Sequence, residues 1–198
     1  IGTLTINDRA ADTGNITLTG IGDSAGLGAT TTAIGNAKTA GTVTLAGDDY
    51  HTGAATYTGG SFSITGTDPE FKTTNLAIQF AAADTTGGDV TLADAADLSV
   101  ATGNASITFG GDILGTDNGE ATDVVLDTSG NVSVKSIGAN GSTADGNIND
   151  VTIDGATITL NGTISTAKLG GTGVNKDTDL GVVDINGNVA LGLSLIHI

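Results

Sequence analysis

The chain has 198 residues, a formal net charge of −16, and 32 glycines against one proline. Its six lysines and arginines are too few for the basic surface that phosphate binding requires, which excludes nucleic acid as a partner. The lack of cysteine excludes disulfides, thiol catalysis and cysteine-ligated zinc, and no apolar run approaches the roughly 18 residues that cross a bilayer, so no membrane insertion is expected in this segment.

The apolar residues are mostly Val, Ile, Leu and Ala, since aromatics make up only 3% of the chain. The acidic residues are almost all Asp, which favours turns, whereas Glu favours helices. This composition favours short strands and glycine-rich turns around a narrow aliphatic core.

One short phrase recurs along the chain: Gly or Asn, a polar residue, then apolar residues alternating with Thr or Ser. In chain order its copies are GNITL 14–18, GTVTL 41–45, GSFSI 60–64, GDVTL 88–92, GNASI 103–107, GNVSV 130–134, NDVTI 149–153 and GNVAL 187–191. The alternation has a period of two, which predicts strands with one buried and one solvated face. Further strands are predicted at 4–6, 75–80, 98–100, 124–126 and 182–185, and the stretch 20–40 is expected to be a wide loop or a poorly packed coil.

The clearest stretch is 147–166, NINDVTIDGATITLNGTIST. It predicts two strands of about four residues, with turns at Asp154-Gly155 and Asn161-Gly162, because such dipeptides tolerate positive φ. The same alternation predicts which side chains along the chain point inward: Val43, Leu45, Val90, Leu92, Ile107, Val132, Val134, Val151, Ile153, Ile158 and Leu160.

A phrase that recurs at intervals of 15 to 38 residues favours a β-solenoid over a sandwich, because stacked coils repeat one motif. The expected architecture is all-β, a parallel β-helix with about 20 residues per coil, extending over 1–192 as part of a longer repeat array. Copies 89 residues apart also suggest a duplicated block, 14–102 and 103–191.

GNITL, GTVTL, GDVTL, GNVSV and GNVAL resemble the repeats of filamentous-haemagglutinin-like adhesins and autotransporter passengers, the large surface proteins of Gram-negative bacteria. The resemblance implies a right-handed parallel β-helix that is exported to the cell surface. It also implies an adhesive or structural role, with a host or neighbouring-cell surface or a glycan as partner. This segment would also pack against flanking repeats of the same protein.

No spacing of residues selects a catalytic centre, a cofactor site or a metal site, so none is predicted and the chain is expected not to be an enzyme. One alternative is a carbohydrate-active β-helix enzyme, a lyase or hydrolase, in which Lys72, Lys135 or Lys168 lies near carboxylates. Another is a calcium-stabilised matrix or S-layer-like protein, whose candidate ligands are Asp112, Asp117 and Asp123, Asp177 and Asp179, and the run 184–188. His51, beside Asp49 and Tyr50, could form a site, but a histidine in a surface loop is far more common and is the preferred interpretation.

The last six residues, LSLIHI at 193–198, lack the Gly, Thr, Asn and Asp of the repeats. They match a translation of the transposon mosaic end used in preparing sequencing libraries. Together with a first residue of Ile, this suggests a metagenomic fragment whose residues 193–198 are not native. Ile196 and Ile198 are then expected to have no regular place in the core.

Overall fold

A computed structural model describes residues 2–6, 14–22, 28–35, 41–82, 87–116, 122–138, 146–166 and 181–191, and the backbone of 196–197. Its regular elements are all β-strands, and every strand pair is parallel. Successive strands follow the chain around three faces and then stack on the preceding coil. The predicted all-β parallel solenoid is therefore confirmed.

Each face is a column of stacked strands. Face 1 contains β1 (Thr3–Ile6), β3 (Thr31–Ile34), β6 (Ala54–Gly59), β9 (Ile78–Ala82), β12 (Ile107–Phe109), β15 (Asn131–Val134) and the second halves of β16 (Val151–Leu160) and β18 (Val183–Leu191). Face 2 contains β2 (Ile16–Leu18), β4 (Thr42–Leu45), β7 (Ser61–Ile64), β10 (Asp89–Leu92), β13 (Ile113–Leu114), the bridge residue Ile137, β17 (Ile164–Ser165) and β19 (Ile196–His197). Face 3 contains the bridge residue Ile21, β5 (Asp49–His51), β8 (Glu70–Lys72), β11 (Leu98–Gly103), β14 (Val124–Thr128) and the first halves of β16 and β18.

The coils vary in length. Two residues that pair across neighbouring coils are one coil apart in the chain. The coil from Val43 to its partner Phe62 is therefore much shorter than the coil from Ile158 to its partner Val189. The coil length predicted from the recurring phrase was too short for most coils, because copies of that phrase lie on all three faces. Val43 and Val132, for example, occupy the same position in two copies, yet Val43 lies on face 2 and Val132 on face 1. The interval between those copies is not the stacking repeat, and the duplication remains a prediction.

The core confirms the predicted alternation, since all eleven side chains expected to point inward are at most 2% exposed. It also holds every aromatic residue of the chain: Tyr50, Tyr57, Phe62, Phe71, Phe80 and Phe109. Phe80 lies at the centre of this aromatic cluster, stacked on Tyr57 at 5.0 Å and on Phe109 at 4.7 Å between ring centroids. The Tyr57 hydroxyl is buried there without a hydrogen-bond partner.

Two corners of the coil are built by columns of one residue type. Thr52 and Thr73 directly follow β5 and β8, whereas Thr102 and Thr128 are the last threonines of β11 and β14. The buried hydroxyls of all four donate to carbonyls near the corner. Asp68, Asp97, Asp123 and Asp150 precede face 3, where they lie in register and form the aspartate column. The carboxylates of Asp97 and Asp123 each accept the backbone N–H of the next aspartate in the column, at 3.1 and 3.0 Å.

Two local predictions were wrong. Asp154-Gly155 is not a turn between separate strands, because β16 runs through it and only bends from face 3 to face 1. Of the two alternatives for 20–40, the wide loop is wrong, because 31–34 form β3 and Ile34 is fully buried; residues 23–27 and 36–40 lie outside the described residues.

β18 covers β16 but is itself poorly covered. Val189 and Leu191 are 43% and 53% exposed, although their partners Ile158 and Leu160 are buried. Further along, the backbone of Ile196 and His197 pairs with Ile164 and Ser165. The adapter origin of 193–198 remains a prediction, and Ile198 lies outside the described residues.

Candidate functional site

The same three-residue pattern, acid–aromatic–base, occurs in two neighbouring strands of face 3. It is Asp49-Tyr50-His51 in β5 and Glu70-Phe71-Lys72 in β8. The parallel register places each residue directly beside its counterpart. The two aromatic rings point into the core and stack at 4.5 Å with an angle of 6° between their planes. Because side chains alternate along a strand, the acids and bases are brought together on the outer side.

His51 is the centre of this outer group. Its Nε2 lies 2.6 Å from Glu70 Oε2 and 3.8 Å from Asp49 Oδ1. The imidazole is only 6% exposed, whereas the side chains of Glu70 and Asp49 are 37% and 51% exposed. The site therefore has a buried nitrogen ligand below two carboxylates that solvent can reach.

Lys72 contacts the other oxygen of the same glutamate. Its Nζ lies 3.5 Å from Glu70 Oε1, while Oε2 faces the imidazole. The two oxygens of Glu70 therefore face different partners, Oε1 facing Lys72 and Oε2 facing His51. Asp49, His51 and Glu70 are the only described residues that bring three potential metal-ligand atoms within 4.8 Å of one another.

Sequence reasoning noted His51 beside Asp49 but did not connect these two residues with Glu70. His51 was predicted to lie in a surface loop, which is wrong, because it is buried on strand β5. The signal that could have found it is the repeated pattern itself, DYH in one coil and EFK in the next. The two patterns form one group only if their strands pair residue by residue, and the recurring phrase did not predict that pairing.

The lysines of the enzyme hypothesis are spread over separate sites. Lys72 adjoins Glu70, and Lys135 lies 3.1 Å from Asp112 Oδ2, near β13 on another face. Lys168 lies outside the described residues. A carbohydrate-active centre in which several carboxylates converge on a base is matched only in part on face 3, where two carboxylates, a histidine and a lysine meet.

The proposed calcium ligands are not gathered by the part of the fold that is described. Asp112 pairs with Lys135, while Asp123 lies in the aspartate column, where its Oδ1 accepts the backbone N–H of Asp150. The acidic and amide side chains of the run 184–188 lie exposed along β18. Asp117, Asp177 and Asp179 lie outside the described residues.

No protein-family model, curated protein or solved structure matches this chain. Among the described residues there is no helix of the length and apolarity needed to cross a membrane. The fold and the face 3 group are therefore the observations on which any functional proposal rests.

Proposed function

We propose that this chain is a structural and adhesive segment of a large exported bacterial surface protein, located at the cell surface and not acting as an enzyme. The observation that carries the proposal is the parallel strand ladder of face 1, which runs from β1 through β18. A linear stack of this kind extends a chain in one direction and exposes long, regular faces. These are the properties of a stalk or an adhesive surface.

The outer sides of the faces support this role. On face 2, the outward positions of neighbouring strands carry Thr17, Thr44, Ser63 and Thr91 in one column. Such a surface offers hydroxyl groups in a regular array and few large apolar groups. Its chemistry suits polar contacts with a glycan or a protein on a host or neighbouring cell.

Flanking repeats of the same protein are the second class of partner in this proposal. Val189 and Leu191 on β18 occupy positions that are buried one coil earlier, at Ile158 and Leu160. A further coil stacked on β18 would cover both side chains and pair its exposed edge, which otherwise invites aggregation.

A binding assay tests the adhesive role. Fluorescent beads coated with the purified chain are incubated with bacterial cells, epithelial cells and a glycan array, beside beads coated with an unrelated acidic protein. We expect binding to at least one surface. Single substitutions Thr44→Lys, Thr159→Lys and Ser99→Lys place a long cation on the outer side of faces 2, 1 and 3 respectively, and one of them should abolish binding.

Two outcomes would contradict the proposal. One is binding no stronger than that of the acidic control on every surface. The other is cleavage of a polysaccharide in a panel assayed for new reducing ends and for unsaturated products, which would support the carbohydrate-active alternative. A large calcium-dependent rise in the melting temperature would instead support the matrix or S-layer-like alternative.

A further inference from the structure

We infer that Asp49, His51 and Glu70 form a binding site for one zinc ion on face 3. The ligands would be His51 Nε2, Asp49 Oδ1 and Glu70 Oε2, which converge within 4.8 Å. This inference does not depend on the adhesive role, because it concerns the chemistry of one cluster.

The distances fit a small ion. Zinc binds imidazole nitrogen and carboxylate oxygen at about 2.0–2.2 Å in tetrahedral geometry, so its ligand atoms lie about 3.3 Å apart. The two distances from His51 Nε2, 2.6 Å to Glu70 and 3.8 Å to Asp49, lie on either side of that value. The third pair, Asp49 Oδ1 and Glu70 Oε2, lies within 4.8 Å. Side-chain rotations that move each carboxylate oxygen by roughly 1 Å would bring all three pairs to the tetrahedral spacing and leave a fourth position for water.

The donor set favours zinc over calcium and magnesium. Calcium takes six to eight oxygen ligands and magnesium prefers oxygen ligands in octahedral geometry, whereas one imidazole nitrogen with two carboxylates suits zinc. Zinc would displace the proton that lies between His51 Nε2 and Glu70 Oε2, whichever of the two atoms carries it, and the proton would be released to solvent or taken up at the other ring nitrogen.

The surroundings of the three ligands also favour a metal. The backbone that carries His51 is paired on both sides, since β5 pairs with β8 and Tyr50 bridges to Ile21. Lys72 Nζ lies 3.5 Å from Glu70 Oε1, and Oε2 is the oxygen turned toward His51. Partners of this kind, one shell out from the ligands, fix ligand orientation in metal sites.

Zinc binding to the whole chain tests the inference. The protein is stripped with a chelator, dialysed, and titrated with zinc by isothermal calorimetry in excess magnesium, which occupies weak carboxylate sites on this acidic surface. We expect one zinc per chain and a higher melting temperature in zinc. Cobalt as a probe should give the visible absorption of a tetrahedral ion.

Variants separate this site from general attraction to carboxylates. His51→Gln and Glu70→Gln should each weaken zinc binding by at least about 100-fold, since even partners outside the ligand shell contribute 10- to 100-fold. Asp127→Asn removes the same charge as Glu70→Gln from an exposed position of β14 on the same face, and His197→Gln removes the other histidine. Both controls should bind zinc as the unmodified chain does.

The inference would be overturned by the absence of stoichiometric zinc binding in excess magnesium. It would equally be overturned if His51→Gln and Glu70→Gln, folded by circular dichroism, bound zinc as tightly as Asp127→Asn. Glu70 is partly exposed, so its variant keeps the test decisive should His51→Gln fail to fold.

Discussion

Replacing Phe80 by alanine should cost more stability than any comparable change in the aromatic cluster. Its ring is fully buried and contacts those of Tyr57, Phe62, Phe71 and Phe109 at centroid distances of 4.7 to 5.4 Å. Truncating a buried phenylalanine costs about 3–5 kcal/mol, and each aromatic pair contributes about 0.5–1.5 kcal/mol beyond its buried area. Because the coils on both sides limit collapse into the cavity, we expect a loss of about 5 kcal/mol.

Phe109→Ala is the matched control. Phe109 is 2% exposed, and its one ring contact in the described chain is with Phe80. Its truncation should cost about 3 kcal/mol, at the lower end of the range for a buried phenylalanine. Urea unfolding followed by far-ultraviolet circular dichroism gives both values. Equal losses of unfolding free energy in the two variants would show that the ring contacts of Phe80 add nothing to burial, and would refute the reasoning.

Two further predictions concern single polar groups. Tyr57→Phe removes a buried hydroxyl that has no hydrogen-bond partner, so the free energy of unfolding in urea should stay level or rise by up to about 1 kcal/mol; a clear loss would contradict this. Partial burial and the carboxylates of Asp123 and Asp68 raise the pKa of Asp97 above its ordinary value, so the folded chain holds this proton more tightly than the unfolded chain. Ionisation of the Asp97 carboxyl group therefore lowers the stability of the folded chain as pH rises through its folded-state pKa. Asp97→Asn removes this charge but keeps an oxygen that can accept the Asp123 N–H. It should raise the melting temperature at pH 7 but not at pH 3. An equal rise at both pH values would argue against a charge effect.

The alternation of side chains was predictable because it is local. The pleat of a single strand determines which of its side chains share a face, so Val43 and Leu45 were predicted to point inward without knowledge of how the coils stack. The path between strands was less predictable. Asp154-Gly155 has the chemistry of a tight turn, yet a strand that passes from one face to the next needs only a bend there.

The zinc ligands could not be predicted from one sequence, because they depend on register. His51 and Glu70 belong to different coils, and they meet only because β5 and β8 pair with Asp49 beside Glu70 and His51 beside Lys72. Neighbouring coils have other lengths, so no single period places one strand against the next. A shift of one residue in this pairing would have moved Glu70 to the other side of the sheet.

The aspartate column has a consequence for how the molecule responds to salt. Neighbouring strands lie about 4.8 Å apart, so Asp68, Asp97, Asp123 and Asp150 form a line of like charges with roughly that spacing. In water, the repulsion of two unit charges equals the thermal energy at about 7 Å, so adjacent members repel by more than that. Such a line attracts mobile cations along the corner. At about 0.15 M salt, where the screening length is about 8 Å, these cations screen much of the repulsion between the carboxylates. The repulsion between coils along this corner therefore falls as ionic strength rises, so we expect this corner to be more stable at high salt than at low salt.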